Sequence, residues 1–240
     1  MTKPTPAMFY AGVFALSGML MMLQVLQARI FSVTTWYHLS FLVISVAMFG
    51  LTAGALHVHK GNEVEQRRGY AQLMGQACLS FAVYTGLALA AHMVLPIVAA
   101  SNVKTLLTLP MISACTIPPY YFAGYALTLA MTRAPFPAAR TYAFDLLGAA
   151  AGCLAALGLM ETVDAPSAVL LVAAAGAMTA LFFGVTDRFR ALVLAGAFGI
   201  IALCNIIPER PFIYPFWIKK DIVTQGMLAH DEWNSISRVT

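Results

Sequence analysis

Seven long apolar stretches follow one another along the chain, and they constrain its fold more than any other feature. They cover residues 8–32, 36–57, 70–98, 105–132, 141–160, 168–185 and 189–207. Each is near or above the roughly 20 residues that a helix needs to cross a bilayer. Because backbone groups in hydrocarbon must form their hydrogen bonds internally, each stretch predicts an α-helix. We therefore expect an all-α integral membrane protein: a polytopic bundle of about seven transmembrane helices with a short C-terminal extramembrane tail.

The amino-acid composition agrees with this class. Hydrophobic residues make up 60% of the 240 residues and charged residues only 10%, whereas about a quarter of a soluble domain is charged. The net charge of +4 lies mostly in the connections between the stretches. That distribution is typical of the positive-inside signal and not of a nucleic-acid surface. The lipid bilayer is the expected partner, nucleic acid is not, and a bacterial-type inner membrane is the expected location.

The chain changes character after residue 207. Residues 208–217 contain three prolines and a cluster of aromatic side chains, a composition that favours a linker at the membrane interface. The following residues alternate polar and apolar side chains and are too few to bury a core of their own. We interpret residues 1–207 as a transmembrane domain and residues 208–240 as a linker and the start of a missing soluble domain, in a fragment or a split protein.

The basic residues favour a cytoplasmic N-terminus. With seven spans the inside contains Lys3, Lys60, Arg67, Arg68, Arg133, Arg140, Arg188 and Arg190, and the outside contains Lys104, Arg210, Lys219 and Lys220. This arrangement puts the tail outside.

The fourth stretch leaves an alternative open. It contains Pro110, Pro118 and Pro119, which indicate either a kinked span or a broken, re-entrant segment beside a polar cavity. A re-entrant segment would return the tail to the cytoplasm, with a weaker bias of basic residues.

Two charged residues lie within the apolar stretches. Asp145 stands a few residues inside the fifth, and Arg29 is near the end of the first, five residues after Gln24. A charge in hydrocarbon costs several kcal/mol, so such residues lie near an interface, pair, or line a polar cavity. In the seven-span arrangement these stretches are parallel, so Arg29 and Asp145 are separated by more than ~15 Å. Only the re-entrant arrangement lets them pair; otherwise Arg140, Arg133 or the N-terminus of its own helix is nearer to Asp145.

Pairs of glycines four residues apart predict close helix packing. Gly50 and Gly54 lie in the second stretch, and Gly148 and Gly152 lie in the fifth. Without side chains between them, two helix backbones approach closely and gain dispersion contacts. Packing within one chain is the first interpretation, and a homo-oligomer is the alternative.

No motif in the chain indicates a catalytic site. No nucleophile–base pair is recognisable, and the four cysteines show no Cys-x-x-Cys spacing. His57 and His59 stand together at the end of the second stretch, but a metal site needs further ligands. We expect no cofactor and no metal in this chain.

Three segments nevertheless resemble a known family. They are residues 16–54 with their Leu-Ser-Gly start and Phe-Gly-Leu-Thr-Ala-Gly end, residues 142–152 with the sequence Tyr-Ala-Phe-Asp-Leu-Leu-Gly-Ala-Ala-Ala-Gly, and residues 233–239. Together they are similar to the membrane domain of the spermidine synthase-like (polyamine aminopropyltransferase-like) proteins. The last segment supplies the signature positions Trp233, Asn234, Ser235, Ser237 and Arg238.

The resemblance implies that a soluble domain of the S-adenosylmethionine-dependent methyltransferase fold follows the spans, in the same chain or from an adjacent gene. Gln24 departs from the family, in which a glutamate is common at that position. The family's glycine-rich nucleotide loop and acidic site residues would lie beyond Thr240, so no catalytic residue is carried over and an enzymatic activity stays undecided.

Three functions remain open at this point. The membrane domain anchors or regulates the soluble domain, or handles a membrane-side substrate for it; it is a small-solute transporter or channel-like protein; or it is a structural assembly module. A continuous polar cavity reaching Asp145, Tyr121 and Tyr125 would favour transport, and a tightly packed interior would favour the anchor. A cytoplasmic S-adenosyl donor would conflict with a tail outside the membrane.

Overall fold

The computed structural model describes residues 4–35, 40–61, 69–95, 103–184, 187–208, 211–215, 217–218, 221–222, 232–233 and 238–239; within the helices, the side chains of residues 103–106 are not described. Seven α-helices dominate these residues, as the sequence predicts. They are α1 (Pro6–Thr34), α2 (Ser40–Lys60), α3 (Tyr70–Val94), α4 (Val103–Thr132), α5 (Ala138–Met160), α6 (Ala165–Thr179) and α7 (Arg188–Ile206). A 3₁₀ turn, Ala180–Phe183, extends α6.

Six of these helices are long and apolar enough to cross a membrane, α6 together with its 3₁₀ turn; the exception is α4. Although α4 spans 30 residues, or about 45 Å, it contains three prolines and several threonines that make it less apolar. It runs without interruption through Pro110, Pro118 and Pro119. The structure thus contains a continuous helix here and not the broken one that was the alternative.

Capping residues explain why the helix ends differ from the apolar stretches. The Asp164 side chain accepts a hydrogen bond from Ser167 N at 3.0 Å, so α6 begins at Ala165, three residues before its apolar stretch. At the other extreme, α3 ends at Val94 although its apolar stretch continues to residue 98. Leu95 precedes a proline and adopts an extended conformation with ψ 122°, which a following proline favours over the helical one.

Neighbouring contacts establish how the helices run. Gly148 packs on Phe14, and Gly152 packs on Gly18 one turn farther along both helices, so α1 and α5 are parallel. Gly50 and Gly54 face successive turns of α4 in the same order, so α2 and α4 are parallel as well. Phe9 and Phe31 of α1 contact Tyr70 and His92 of α3, at its start and its end. Helix α4 runs opposite to α1, because Gln27 of α1 contacts Tyr120 while Phe9 contacts Phe136, just after α4. Helix α6 also runs opposite to α1, since Phe183 after its end meets Gly12, and α7 runs opposite to α6, since Asn205 near its end contacts Ser167. Odd-numbered helices therefore run in one direction and even-numbered helices in the other.

Most of the described basic side chains gather at one end of the bundle, where α1 begins. This end, called the basic end below, contains Lys60, Arg133, Arg140, Arg188 and Arg190. Glu161 and Asp164 lie at the opposite end, in the connection between α5 and α6. The chain also leaves α7 at this opposite end.

Apolar side chains divide into a core and an outer surface. Among the candidate spans, α1 and α6 are the most buried helices and α5 and α7 the least. Large apolar side chains of the outer helices are exposed on the surface of the chain, including Phe41 and Phe49 of α2, Leu147 and Leu154 of α5, and Phe189 and Ile200 of α7. Apolar exposure on this scale is a property of surfaces that contact lipid or another protein.

After α7 the described backbone changes from helix to short strands. Strands β1 (Trp217–Ile218) and β2 (Asp221–Ile222) pair antiparallel, and so do β3 (Glu232–Trp233) and β4 (Arg238–Val239). Two of the signature positions, Trp233 and Arg238, are opposite one another in the second pair. Asn234, Ser235 and Ser237 lie outside the described residues.

Glycines form the closest helix contacts in the bundle. A Cβ atom at Gly152 would stand 2.7 Å from Gly18 Cα, and one at Gly148 would stand 2.9 Å from the carbonyl carbon of Phe14. On the other pair of helices, a Cβ at Gly54 would stand 2.6 Å from Tyr125 N. Such distances leave no space for a side chain, so these glycines allow backbone to contact backbone.

The variant Gly152→Ala should destabilise the bundle, because the added methyl group pushes α5 away from α1. We expect a loss of about 1–3 kcal/mol, as for other overpacked interiors. The measurement is unfolding of the purified protein in detergent micelles, followed by circular dichroism.

Gly158→Ala is the matched control. Gly158 lies on the same helix, but a Cβ there would have no neighbour within 4 Å among the described residues. This variant should be neutral or stabilise by up to ~1 kcal/mol through helix propensity. Equal destabilisation by both variants would contradict the packing account.

Candidate functional site

A polar pocket lies between α2, α3 and α4 near the basic end. Its volume is about 200 Å³. Polar side chains from all three helices contribute to its wall together with apolar and aromatic ones; the described lining is His57, Leu73, Gln76, Ala77, Ser80, Tyr121, Phe122 and Tyr125. This pocket contains two of the residues that the sequence singled out for a polar path, Tyr121 and Tyr125.

His57 and Tyr121 also line a larger groove, of about 600 Å³, on the side of α2. The Tyr121 hydroxyl and His57 Nδ1 are hydrogen-bonded, and the His57 ring also stands edge-on to Tyr125 with ring centres 5.4 Å apart. Nearby, Arg133 donates a hydrogen bond to the Val58 carbonyl at 3.1 Å. The pair of His57 and Tyr121 therefore forms a wall shared by the two spaces.

Asp145 does not line either space. Its carboxylate accepts a hydrogen bond from the buried Ser17 hydroxyl of α1, next to the contact of Gly148 with the backbone of Phe14. Neither Arg140 nor Arg133, the partners that the sequence favoured, forms an ion pair with it in the described part of the chain. A neutral hydroxyl donor is thus the side-chain partner that the structure gives this carboxylate.

Arg29 and Gln24 lie farther along α1, and both are partly buried. Arg29 follows Ser17 by twelve residues, which is about 18 Å along the helix. Since Asp145 contacts Ser17, the arginine and the aspartate are far apart. This is the separation that the parallel arrangement of α1 and α5 predicts.

A buried tyrosine connects α4 to α1. Tyr120 is fully buried and donates a hydrogen bond of 2.7 Å to Gln27 Oε1, itself 2% exposed. Tyr120 Cβ also lies where a side chain on Gly50 would be. This contact joins α1 and α4 in the buried interior of the bundle.

Asn205 fastens the segment that leaves the bundle. Its amide group donates to Ser167 Oγ at 2.8 Å and to Asp164 Oδ2 at 3.2 Å, both at the start of α6. Its Oδ1 atom accepts a hydrogen bond of 2.6 Å from Ile213 N. The side chain is 2% exposed. One amide thus joins α7, the cap of α6 and the first residues of the tail.

The described residues contain no cluster of side chains that could bind a metal ion. No group of three or more histidine, cysteine, aspartate or glutamate side chains is placed to bind an ion there. The His57 ring contacts tyrosines, and His59 is exposed. All four cysteines are free.

Comparisons with known proteins find no relative: no protein-family model, no curated protein and no solved structure matches the chain. The similarity to spermidine synthase-like proteins therefore stays a prediction from the quoted segments.

Sequence reasoning missed Ser17, Asn205 and the roles of Tyr120 and His57. In sequence, a serine in a span looks like any other small packing residue, so nothing indicated that Ser17 would bond to Asp145. Asn205 did offer a signal, since an amide near the end of an apolar helix needs partners when it is buried. Which tyrosine of the Tyr120–Tyr121 pair faces the core depends on the rotation of α4, which its sequence does not specify.

Ser17→Ala should destabilise the packing of α1 on α5, because Asp145 then loses its hydroxyl donor. We expect about 1 kcal/mol, the size of interhelical hydrogen bonds in membrane proteins. Asp145→Asn keeps an oxygen acceptor for Ser17 and should cost less than Asp145→Leu. Unfolding in detergent measures all three, and a larger loss for the asparagine than for the leucine variant would contradict the hydrogen-bond account.

Asn205→Ala should loosen the tail, since Ile213 N and Ser167 Oγ lose their buried partner; the expected cost is about 1–3 kcal/mol. Asn205→Asp should be at least as damaging, because it keeps the acceptor but places a second carboxylate beside Asp164. Limited proteolysis after residue 207, in protein reconstituted into lipid, measures the effect. Cys204→Ala, a change at the exposed neighbour, should leave the cleavage rate unchanged, and a faster rate there would point to general destabilisation.

Proposed function

We propose that the helical part of this chain is the membrane domain of a spermidine synthase-like protein and anchors or regulates a soluble methyltransferase-fold domain. That domain is supplied in cis or from an adjacent gene. The hydrogen bonds of Asn205 carry the proposal. They fix the segment after α7, at Ile213, to both α7 and the start of α6, as an anchor for a following domain requires. Support also comes from the resemblance of residues 142–152 and 233–239, and from the change from helix to short strands after α7.

All seven helices cross the membrane in this proposal, in a bacterial-type inner membrane. The alternating directions of the helices support seven crossings, with α4 shielded by α2 and α3. Basic residues accumulate on the cytoplasmic side of membrane proteins, so the basic end with Lys60, Arg133 and Arg188 is cytoplasmic. The N-terminus then lies inside, and the tail lies on the other side, where a cytoplasmic S-adenosyl donor would not reach the anchored domain.

Transport is the second candidate, and the polar pocket at Tyr121 and Tyr125 is the observation that favours it. Asp145 is not among the described residues that line the pocket, and its carboxylate bonds to Ser17 between α1 and α5 instead. This separation of Asp145 from Tyr121 and Tyr125 favours the anchor. An assembly module has less support, since Gly18, Gly50, Gly54, Gly148 and Gly152 already pack within one chain.

Topology reporters test the seven crossings. Alkaline phosphatase, which is active only outside the cytoplasm, should be active when fused after Thr240 and inactive when fused after Gly61 or Asp187. Green fluorescent protein fused at the same positions should give the opposite pattern. An inactive phosphatase at Thr240 beside an inactive one at Gly61 would contradict seven crossings.

The anchoring role is tested on the protein encoded by the whole gene. Cleavage within residues 208–216 should release a methyltransferase-fold domain into the aqueous fraction while the helices stay in the membrane. If neither this gene nor an adjacent one encodes such a domain, the anchor proposal fails. This result is independent of the topology reporters.

A further inference from the structure

The groove on the side of α2 has the layout of a lipid site. It lies at the basic end, and its described lining is Ala53, Leu56, His57, Lys60, Gly61 and Tyr121. The lining changes along the helix from apolar side chains at Ala53 and Leu56 to polar ones at His57 and Lys60. An amphiphilic molecule fits such a gradient, with its polar end beside Lys60.

The apolar part of the groove continues along an exposed face of α2. Phe49, Ala53, Leu56 and Lys60 are spaced by four, three and four residues, so they share one face of the helix. Phe49 is 62% exposed and Leu56 is 55% exposed. From Lys60 to Phe49 the helix rises about 16 Å, close to half the roughly 30 Å thickness of the hydrocarbon core. This face therefore matches one acyl chain within one leaflet.

The polar part of the groove offers charge and hydrogen bonds at the level of lipid headgroups. Lys60 is the exposed last residue of α2 and supplies a positive charge for a phosphate. His57 and Tyr121, whose side chains are hydrogen-bonded to each other, also line the groove. Their remaining donor and acceptor positions offer partners to hydroxyl groups of a ligand.

We propose that this groove binds an anionic glycerophospholipid of the leaflet at the basic end. The phosphate contacts Lys60, a hydroxyl-bearing headgroup points to His57 and Tyr121, and one acyl chain lies along Leu56, Ala53 and Phe49. The occupant is a membrane lipid because the groove is open on the apolar outer face of α2, where a phosphate dissolved in water would leave Phe49 and Leu56 uncovered. The proposal does not depend on the anchoring role.

The test uses the full chain in nanodiscs or detergent and native mass spectrometry to count retained lipids. The probe is phosphatidylglycerol, compared with phosphatidylcholine and with soluble glycerol 3-phosphate. Phosphatidylglycerol should be retained, phosphatidylcholine should be retained about tenfold less, and glycerol 3-phosphate should not bind. Lys60→Ala should reduce retention of phosphatidylglycerol about tenfold, the effect of losing one charge-assisted hydrogen bond.

Two further variants separate the site from general charge and folding effects. Arg140→Ala removes a positive charge from the same end but outside the groove, and should change retention less than twofold. Ala53→Phe fills the apolar part while keeping Lys60, and should also reduce retention, with an unchanged circular dichroism spectrum as the check of folding.

Three results would overturn the proposal. They are equal retention of the two phospholipids, an equal loss with Lys60→Ala and Arg140→Ala, or saturable binding of glycerol 3-phosphate that Ala53→Phe leaves unaffected. The last result would identify a site for a free phosphate ester. In each case the anchor proposal would be untouched, since its test concerns the tail.

Discussion

Contact between helix backbones at glycine is the interaction on which the rest of the bundle depends. Lipid chains are as apolar as leucine, so helices in a membrane gain little by burying leucine against leucine and associate through close packing and hydrogen bonds instead. Two such contacts organise this chain, α1 with α5 through Gly18, Gly148 and Gly152, and α2 with α4 through Gly50 and Gly54. Each draws a few polar groups into hydrogen-bonding distance.

The polar contacts follow from these close approaches. Ser17 reaches Asp145 because Gly18 and Gly148 bring α1 and α5 together. Likewise, Gly50 and Gly54 bring α2 so close to α4 that His57 meets Tyr121 and Tyr120 packs over Gly50. The groove and the polar pocket lie beside this pair of helices, near the basic end. The same two helices thus have a tight contact at Gly50 and Gly54 and open space around His57 and Tyr121.

Much of this arrangement could be predicted from local patterns. The length of the apolar stretches identifies all seven helices, and the spacing of glycines identifies the packing faces. The rise per residue, with α1 and α5 parallel, predicts that Arg29 and Asp145 lie far apart. Contacts that depend on helix rotation could not be predicted, which is why the pairs of Ser17 with Asp145 and of Tyr120 with Gln27 were missed. The end of α3 and the start of α6 also differ from the limits of their apolar stretches. Leu95 ends α3 through its backbone conformation and Asp164 begins α6 as its cap, and hydropathy reports neither effect.

The distance in sequence between the glycine partners has a consequence for biosynthesis. Gly18 and Gly148 are 130 residues apart, and a ribosome that adds 5–20 residues per second needs on the order of ten seconds to bridge that interval. During this time α1 is already made, and its Ser17 and Gly18 have no α5 to contact. A chaperone that shields polar groups of spans during membrane insertion would therefore act on α1 first. Variants of Ser17 or Gly18 would change how long the nascent chain depends on that chaperone.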